Sequence, residues 1–338
     1  MKIGWLIGVI MFIFSACETD ESMPGLPYPI SIPAHFPDFP DQSKNPITKE
    51  KVNLGRFLFF DPILSIDSSI SCASCHKQNQ AFAEAQTFSI GVNGQVGIRN
   101  SQPLFNLAWN KFFFRDGGVP TLELSALAPI SESHEMAFSL PGVVLRLNKN
   151  DRYKKLFKQV FQREPDAKAV IQALAAFQKI LISAQSPYDQ FLQGNEAALS
   201  TAAKRGLNLF FSDTTSCFRC HSGFNFTDQT FANNGLYLQY ADSGRMRITT
   251  NPQDRALFAV PSLRNLAFTM PYMHNGSINT ILDVVEHYNA GGANHPHKSS
   301  FVRPLQLSNE QKQALISFLN SLNDESFLLN QAFKNPYE

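Results

Sequence analysis

Two copies of the pattern Cys-x-x-Cys-His are the residues of this chain best suited to chemistry. They are Cys72-Ala-Ser-Cys75-His76 and Cys217-Phe-Arg-Cys220-His221. This spacing is the attachment pattern of a c-type haem, in which both sulfurs form thioethers to the porphyrin and the adjacent imidazole binds the iron. The sequence therefore predicts two covalently bound haem c groups and redox chemistry at their irons.

Cys-x-x-Cys pairs also occur in zinc sites and in thioredoxin-like dithiols. The paired zinc motifs stand about 12–20 residues apart, whereas about 145 residues separate these two pairs. A histidine also follows each pair directly. Both alternatives are therefore less favoured than haem attachment.

The first seventeen residues predict export. Lys2 gives a short positive region, and residues 3–14 form an apolar stretch too short to span a bilayer as a stable helix. Ser15-Ala16-Cys17 then resembles a bacterial lipoprotein cleavage site. We expect a signal peptide over residues 1–17 and a lipid on Cys17, which would tether the mature protein to a membrane at the periplasm or cell envelope. The alternative is an ordinary signal peptide cut nearby.

Cysteine usage agrees with this interpretation. The chain has five cysteines, of which four belong to the haem motifs and Cys17 is the remaining one. No pair is left for a structural disulfide, although an exported protein could form one.

Composition limits the partners and suggests the domain number. The formal net charge of +1 argues against nucleic acid or an anionic membrane surface as the main partner. A chain of 338 residues suggests two domains of ordinary size. Its 30 phenylalanines could supply the walls of haem pockets, although a Phe-rich core alone would have the same composition.

An internal repeat sets the predicted organisation. Residues 54–61 (LGRFLFFD) precede the first haem motif, and residues 205–213 (RGLNLFFSD) precede the second. Each segment predicts a helix with a glycine that allows close approach of another helix, followed by two phenylalanines. We therefore expect two cytochrome c-like domains, over residues 46–185 and 186–338, preceded by a Pro-rich tether over residues 18–45 that has no core of its own.

The elements that position the motifs are predicted to be helices joined by long loops. Apolar residues recur on one face between Asp166 and Leu181. Ser308 and Gln311 form a capping-box pattern before an apolar helix that runs to Leu322. Strand signals are few and short, so the predicted fold class is mostly α.

The order of motifs resembles the bacterial di-haem cytochrome c peroxidase and MauG superfamily. The similarity runs from about Pro46 to about Leu322. The landmarks, in chain order, are residues 58–62 (LFFDP), 99–103 (RNSQP), 114–118 (FRDGG), 121–123 (TLE), 129–130 (PI), 135–136 (EM), 260–265 (VPSLRN) and 271–276 (PYMHNG).

The resemblance implies that the first haem reacts with peroxide. His76 would be its proximal ligand. Peroxidases of this family often close that iron with a second histidine, but residues 77–105 contain none, so we expect a five-coordinate iron. Glu135 matches the family's distal acid–base residue, and Ser125 stands where a glutamine usually accompanies it. A solvated loop carboxylate is the alternative role for Glu135 or Glu132.

The resemblance implies that the second haem relays electrons. His221 would bind its iron on one side, and Tyr288 matches the position of the opposite ligand. Many of these peroxidases have a methionine there. A phenolate is a hard anionic donor that stabilises oxidised iron. The rival ligand is His287, and Met270 and Met273 are weaker alternatives.

The resemblance also implies a calcium ion between the domains. Asn100, Thr269 and Pro271 match its ligand positions, and oxygen donors suit calcium. His274 lies in the same stretch and could contact a haem propionate or act as a structural histidine.

One position departs from the family pattern. Arg115 stands where many relatives have a tryptophan that lies between the haems as an electron path. An arginine cannot be oxidised at an accessible potential. Trp109 and residues 112–114 (FFF) are near it in sequence. Arg115 could instead pair with haem propionates.

Three functions remain open at this point. The first is an exported peroxidase that reduces hydrogen peroxide to water with electrons from a small cytochrome c or similar donor. The second is a MauG-like enzyme that uses peroxide-derived high-valent iron to oxidise a protein or an organic substrate. The third is a non-enzymatic electron-transfer or sensor module. Relatives often form dimers, so the resemblance also implies a homodimer, although no self-complementary face stands out.

Overall fold

A computed structural model describes residues 25–338 and shows a mostly helical protein with long loops. The predicted signal peptide and Cys17 lie outside the described residues. The helices of this part are α1 (Lys49–Phe60), α2 (Cys72–Cys75), α3 (Leu122–Ser125), α4 (Leu127–Ser131), α5 (Leu140–Asn148), α6 (Asp151–Phe161), α7 (Ala167–Lys179), α8 (Pro187–Leu192), α9 (Thr201–Phe210), α10 (Met246–Thr249), α11 (Ile281–Ala290), α12 (Asn309–Asn320) and α13 (Glu325–Leu329). Strands β1 (Phe231–Ala232) and β2 (Phe258–Ala259) pair antiparallel. The predicted fold class is confirmed in its helix content and its few short strands.

Both helices predicted from periodicity form, and each begins at a capping side chain. Asp166 accepts a hydrogen bond from the backbone N–H of Ala169 at the start of α7. Ser308 and Gln311 form a reciprocal capping box at the start of α12. Such caps satisfy N–H groups that have no partner within the helix.

The first half of the chain is built on the crossing of α1 and α7. A Cβ atom at Gly55 would overlap the backbone carbonyl of Ala173, so the two helix backbones touch here. Phe59 and Phe177 pack beside the crossing with their ring centroids 5.2 Å apart. Both rings belong to the larger hydrophobic core.

The second half repeats this arrangement with α9 and α12. A Cβ atom at Gly206 would overlap the backbone carbonyl of Ala314. Phe210 and Phe318 pack beside this crossing at 5.1 Å between ring centroids. The predicted role of the repeated glycine is confirmed in both halves.

We predict that Gly55→Ala destabilises the protein severely. The new methyl group would meet backbone atoms that cannot move without separating α1 from α7, so we expect a loss of about 3 kcal/mol or more in the free energy of unfolding. Gly97→Ala is the matched control, because its Cβ would make only ordinary contact, at 3.5 Å from the oxygen of Ser89. Denaturant unfolding of the haem-loaded protein measures both. Equal, small losses would contradict the close crossing.

The segment over residues 25–45 packs against the folded body, which differs from the prediction that the folded part begins near Pro46. Phe36 is buried, and its ring lies 4.5 Å from that of Phe224. His35 Nε2 lies 2.8 Å from Oδ1 of the buried Asp189. The segment still has no helix or sheet, because its prolines favour extended backbone. It is therefore a strap across the body along its described length.

The C-terminal end returns to the first half of the chain. Phe327 and Phe333 belong to the same hydrophobic core as Phe59 and Phe177. Arg56 on α1 donates a hydrogen bond to the carbonyl of Ala332. The end of the predicted second domain thus contributes to the core of the first. Within residues 25–338, no helix is long and apolar enough to cross a membrane.

Candidate haem and peroxide site

The first Cys-x-x-Cys-His motif is held as a short helix followed by a fixed imidazole. Ser71 and Ser74 form a reciprocal capping box around α2, which carries Cys72 and Cys75. His76 then places its Nδ1 2.8 Å from the carbonyl oxygen of Phe82. A carbonyl can only accept, so Nδ1 carries the proton and Nε2 keeps a lone pair for a metal.

The second motif repeats this geometry. Cys217 begins a 3₁₀ turn, and His221 places its Nδ1 3.0 Å from the carbonyl oxygen of Phe226. Burial lowers the pKa of both His76 and His221, which keeps both imidazoles neutral. Both rings are therefore prepared as metal ligands.

Aromatic side chains surround each motif. Phe59 and Phe82 pack near the first, and the ring of Phe59 lies 6.4 Å from that of His76. Phe210 and Phe226 take the same places near the second. Apolar walls of this kind suit a large planar group such as a porphyrin.

The four thiols do not have the properties of a reactive redox pair. Burial raises the pKa of Cys72 to about 12 and that of Cys75 to about 11. Burial also raises the pKa of Cys217 and Cys220. Reactive dithiols need thiolates, which a lowered pKa favours. Two thiols, one neutral imidazole and apolar walls at each motif fit a haem, as in a di-haem c-type protein.

Glu135 is brought to the first motif. Its backbone carbonyl accepts a hydrogen bond from the N–H of Val92, and the backbone carbonyl of Met136 accepts one from the N–H of Ile66. The carboxylate is close enough that its charge raises the pKa of Cys72 and Cys75. The side chain of Glu135 is solvent-exposed, yet partial desolvation by nearby chain atoms, and then the charge of Glu132, raise its pKa above the ordinary value. A carboxyl that titrates nearer to neutral pH is better suited to proton transfer than one with the usual pKa.

Ser125 does not join Glu135 in this structure. Its hydroxyl donates to the carbonyl of Leu122 on the same helix, at 2.8 Å. No hydrogen bond between Ser125 and Glu135 occurs within residues 25–338. The catalytic role of Ser125 stays a prediction.

Tyr288 on α11 is brought to the second motif. The thiols of Cys217 and Cys220 influence the pKa of its hydroxyl, which burial raises to about 12. The rival His287 is turned elsewhere, because its Nε2 lies 3.0 Å from the carbonyl oxygen of Asn234. Of the two faces of α11, the one carrying Tyr288 is therefore closer to the haem motif.

The methionine rivals are less well placed. The thioether of Met273 accepts a hydrogen bond from the Asn234 amide at 3.2 Å. Met270 is exposed. Asn234, which the sequence analysis did not identify, thus contacts both His287 and Met273, and its side chain also hydrogen-bonds Tyr288. No local pattern marks it.

Of the residues matched to calcium, Asn100 lies beside the segment that contains the other two, but both of its oxygens accept hydrogen bonds from an arginine. The N–H of Asn100 donates to the carbonyl of His274, which places Asn100 beside the segment that contains Thr269 and Pro271. The Asn100 side-chain oxygen accepts from Arg115 Nη2 at 3.1 Å, and its backbone oxygen accepts from the same guanidinium. A cationic side chain on these oxygens does not fit a calcium ligand set.

The structure shows the surroundings of His274 and Trp109, to which the sequence analysis assigned no single role. The ring of His274 stacks on Phe258 at 4.1 Å, and burial, with the charge of Arg115, lowers its pKa to about 4. Trp109 packs against Phe36 and Phe224, where it donates its indole N–H to the carbonyl of Asp38. Trp109 thus contacts the strap.

Comparison with known proteins agrees with the di-haem class defined by the two motifs. The sequence model of the di-haem cytochrome c peroxidase family matches residues 49–197. The methylamine utilization protein MauG of Methylorubrum extorquens is 38% identical over 292 residues, which cover 85% of this chain and 82% of that protein. The cytochrome c551 peroxidase of Nitrosomonas europaea is 33% identical over 258 residues, covering 75% of this chain and 77% of its own. The crystal structure of a MauG-like protein associated with microbial copper homeostasis superposes with a TM-score of 0.86 at 32% identity, covering 92% of this chain and all of that one.

The chain belongs to the di-haem cytochrome c peroxidase family. It is therefore an oxidoreductase of the class that acts on peroxide.

Proposed function

We propose that this protein is an exported di-haem c-type peroxidase that reduces hydrogen peroxide to water with electrons from a small cytochrome c or similar donor. The observation that carries the proposal is the arrangement at the first motif. His76 is fixed for one side of an iron, the following loop lacks histidine, and Glu135 lies near the same two thiols.

The two halves of the chain have different roles in the proposed reaction. When bound, the two haems supply and store the electrons that cleavage of the O–O bond consumes. His76 and His221 hold the irons, with their Nδ1 protons donated to backbone carbonyls. Tyr288 would also bind the second iron. In this assignment the chain supplies only His76 to the first iron, which would leave it able to react with peroxide, and the second half would pass electrons to the first.

Glu135 moves the proton. Its carboxylate oxygen takes a proton from one oxygen of hydrogen peroxide and returns it to the oxygen that leaves as water. Complete reduction of one hydrogen peroxide takes two electrons and two protons and yields two waters. The raised pKa of Glu135 makes its carboxylate a stronger base for taking the proton than an ordinary glutamate.

A second function is oxidation of a protein or organic substrate. The observation that favours it is Tyr288 beside the second motif, because an anionic oxygen ligand stabilises oxidised iron and opposes acceptance of electrons from a high-potential donor. This candidate uses the same first site and the same Glu135 chemistry.

We place the protein at the periplasmic face of a membrane or in the cell envelope, anchored by a lipid on Cys17. The apolar residues 3–14 and the small residues before Cys17 support this proposal. A homodimer stays a prediction from the resemblance.

Turnover of the haem-loaded protein with reduced cytochrome c and hydrogen peroxide tests the proposed function. We expect two molecules of reduced cytochrome c to be oxidised for each peroxide consumed, because each carries one electron. Peroxide consumed without oxidation of cytochrome c, but with loss of an added phenol or amine, would replace the first function by the second.

A further inference from the structure

The Arg115 side chain contacts Asn100, one of the three residues that the family resemblance assigns to a metal ion. Its guanidinium contacts two oxygens of Asn100, one from the side chain and one from the backbone. Rotation of the Asn100 amide would break a hydrogen bond, because its Nδ2 donates to the carbonyl of Gln86 at 2.9 Å. The contact is therefore fixed from both sides.

The position lies where the two halves of the chain meet. The carbonyl of Arg115 accepts a hydrogen bond from the N–H of Ala259 on β2. Asn100 in turn donates its N–H to the carbonyl of His274. Arg115 and Asn100, which precede the second haem motif in the chain, therefore both contact segments that follow it.

Arg115 has no acidic partner in the described chain. None of the ion pairs within residues 25–338 includes it, and its Nη1 makes no hydrogen bond there. Its neighbour Asp116 is buried and serves Arg99 and Arg247 instead, at 2.6 and 2.7 Å. The guanidinium of Arg115 is charged at neutral pH, as arginine is in proteins.

The surroundings already carry excess positive charge. Four arginines meet at this junction with two aspartates: Arg99, Arg115, Arg245 and Arg247, with Asp116 and Asp242. A divalent cation would add to that excess, whereas an anion would relieve it. An arginine with a remaining donor suits a carboxylate group, and Arg binds carboxylates with directed hydrogen bonds.

We propose that the Arg115 guanidinium takes the place of the calcium ion between the two halves of the chain. The protein then needs no calcium. This inference rests on the proposed binding of two haems and is independent of which substrate is oxidised. It also explains why a residue that cannot carry electrons stands at this position.

Metal content and thermal unfolding of the haem-loaded protein test the inference without any activity measurement. We expect well below one calcium per chain after gel filtration, and a chelator should leave the thermal midpoint unchanged. We expect Arg115→Gln to lower the midpoint by about 5 °C or more, and Arg115→Lys, which keeps the charge, to lower it less. Arg163→Gln is the charge-matched control, because Arg163 forms an exposed pair with Asp166.

Three results would overturn the inference. One calcium per chain, removed by a chelator with a loss of thermal stability, would show that the metal is still needed. An Arg115→Gln midpoint equal to that of Arg163→Gln would show that Arg115 holds nothing together. A calcium-induced rise in midpoint as large for the unaltered protein as for Arg115→Gln would show that the arginine does not occupy the cation position.

Discussion

Glu135→Gln slows the reaction with hydrogen peroxide by on the order of a hundredfold or more, while both haems remain attached. Glutamine keeps the shape and the hydrogen-bonding capacity of the side chain but cannot take up a proton from the peroxide oxygen. The raised pKa of Glu135 and its influence on the thiols of Cys72 and Cys75 are the reasons to expect so large an effect. Rapid mixing of the ferric protein with peroxide, followed by absorbance, measures the rate.

Glu132→Gln is the matched control for this substitution. Glu132 belongs to the same loop and is exposed, as Glu135 is, but its carboxylate is hydrogen-bonded to Ser133 and His134. We expect its reaction rate with peroxide to stay within about threefold of the unaltered protein. Similar losses in both variants would indicate a general effect of loop charge and would remove Glu135 from its assigned role.

The pH dependence gives a second signature of Glu135. Its deprotonated form is the base, and this form is present above its pKa. Because that pKa lies above the ordinary value of 4.5, the rate with peroxide should fall as the pH drops through a value higher than 4.5. This fall should be missing in Glu135→Gln. A profile that is unchanged by the substitution would assign the proton transfer to another group.

Tyr288→Phe removes one low-spin haem signal and leaves the other haem unaltered. The hydroxyl of Tyr288 is the group that would bind the second iron, and phenylalanine keeps the ring without the oxygen. We expect the reduction potential of that haem to rise, because an anionic oxygen ligand stabilises the ferric state. Spin-resonance spectra of the ferric protein and a redox titration measure the two effects.

His287→Gln separates the two rival ligands on α11. His287 Nε2 lies beside the carbonyl of Asn234 and can be replaced by an amide that still donates to it. We therefore expect the low-spin signal to survive in this variant. Loss of the signal in His287→Gln, together with its survival in Tyr288→Phe, would make His287 the ligand.

Local chemistry explains which features the sequence could predict. The two haem motifs, the caps Asp166 and Ser308, and the glycines of the repeat each depend on a few neighbouring residues or on a spacing that occurs twice. Gly55 and Gly206 are the clearest cases, because only a residue without a Cβ atom permits the helix crossings that the structure shows in both halves.

The features that could not be predicted from the sequence depend on contacts between residues far apart in the chain. The strap looked like a tether because prolines dominate its composition, and its docking depends on His35 meeting Asp189 far along the chain. Asp189 is also held by two nitrogens of the buried Arg264, a pair with no local signature. The contact of Arg115 with Asn100 is of the same kind, since the resemblance gave the positions but not the direction of the side chains.

The resting ferric protein offers the most direct test of the account. Mass spectrometry of matured protein should show two attached haems, and its spin-resonance spectrum should contain one high-spin and one low-spin haem in equal amounts. The high-spin signal alone should disappear on addition of hydrogen peroxide. Fewer than two attached haems, or two low-spin signals that do not respond to peroxide, would contradict the central claim that one iron of the pair is open to the oxidant.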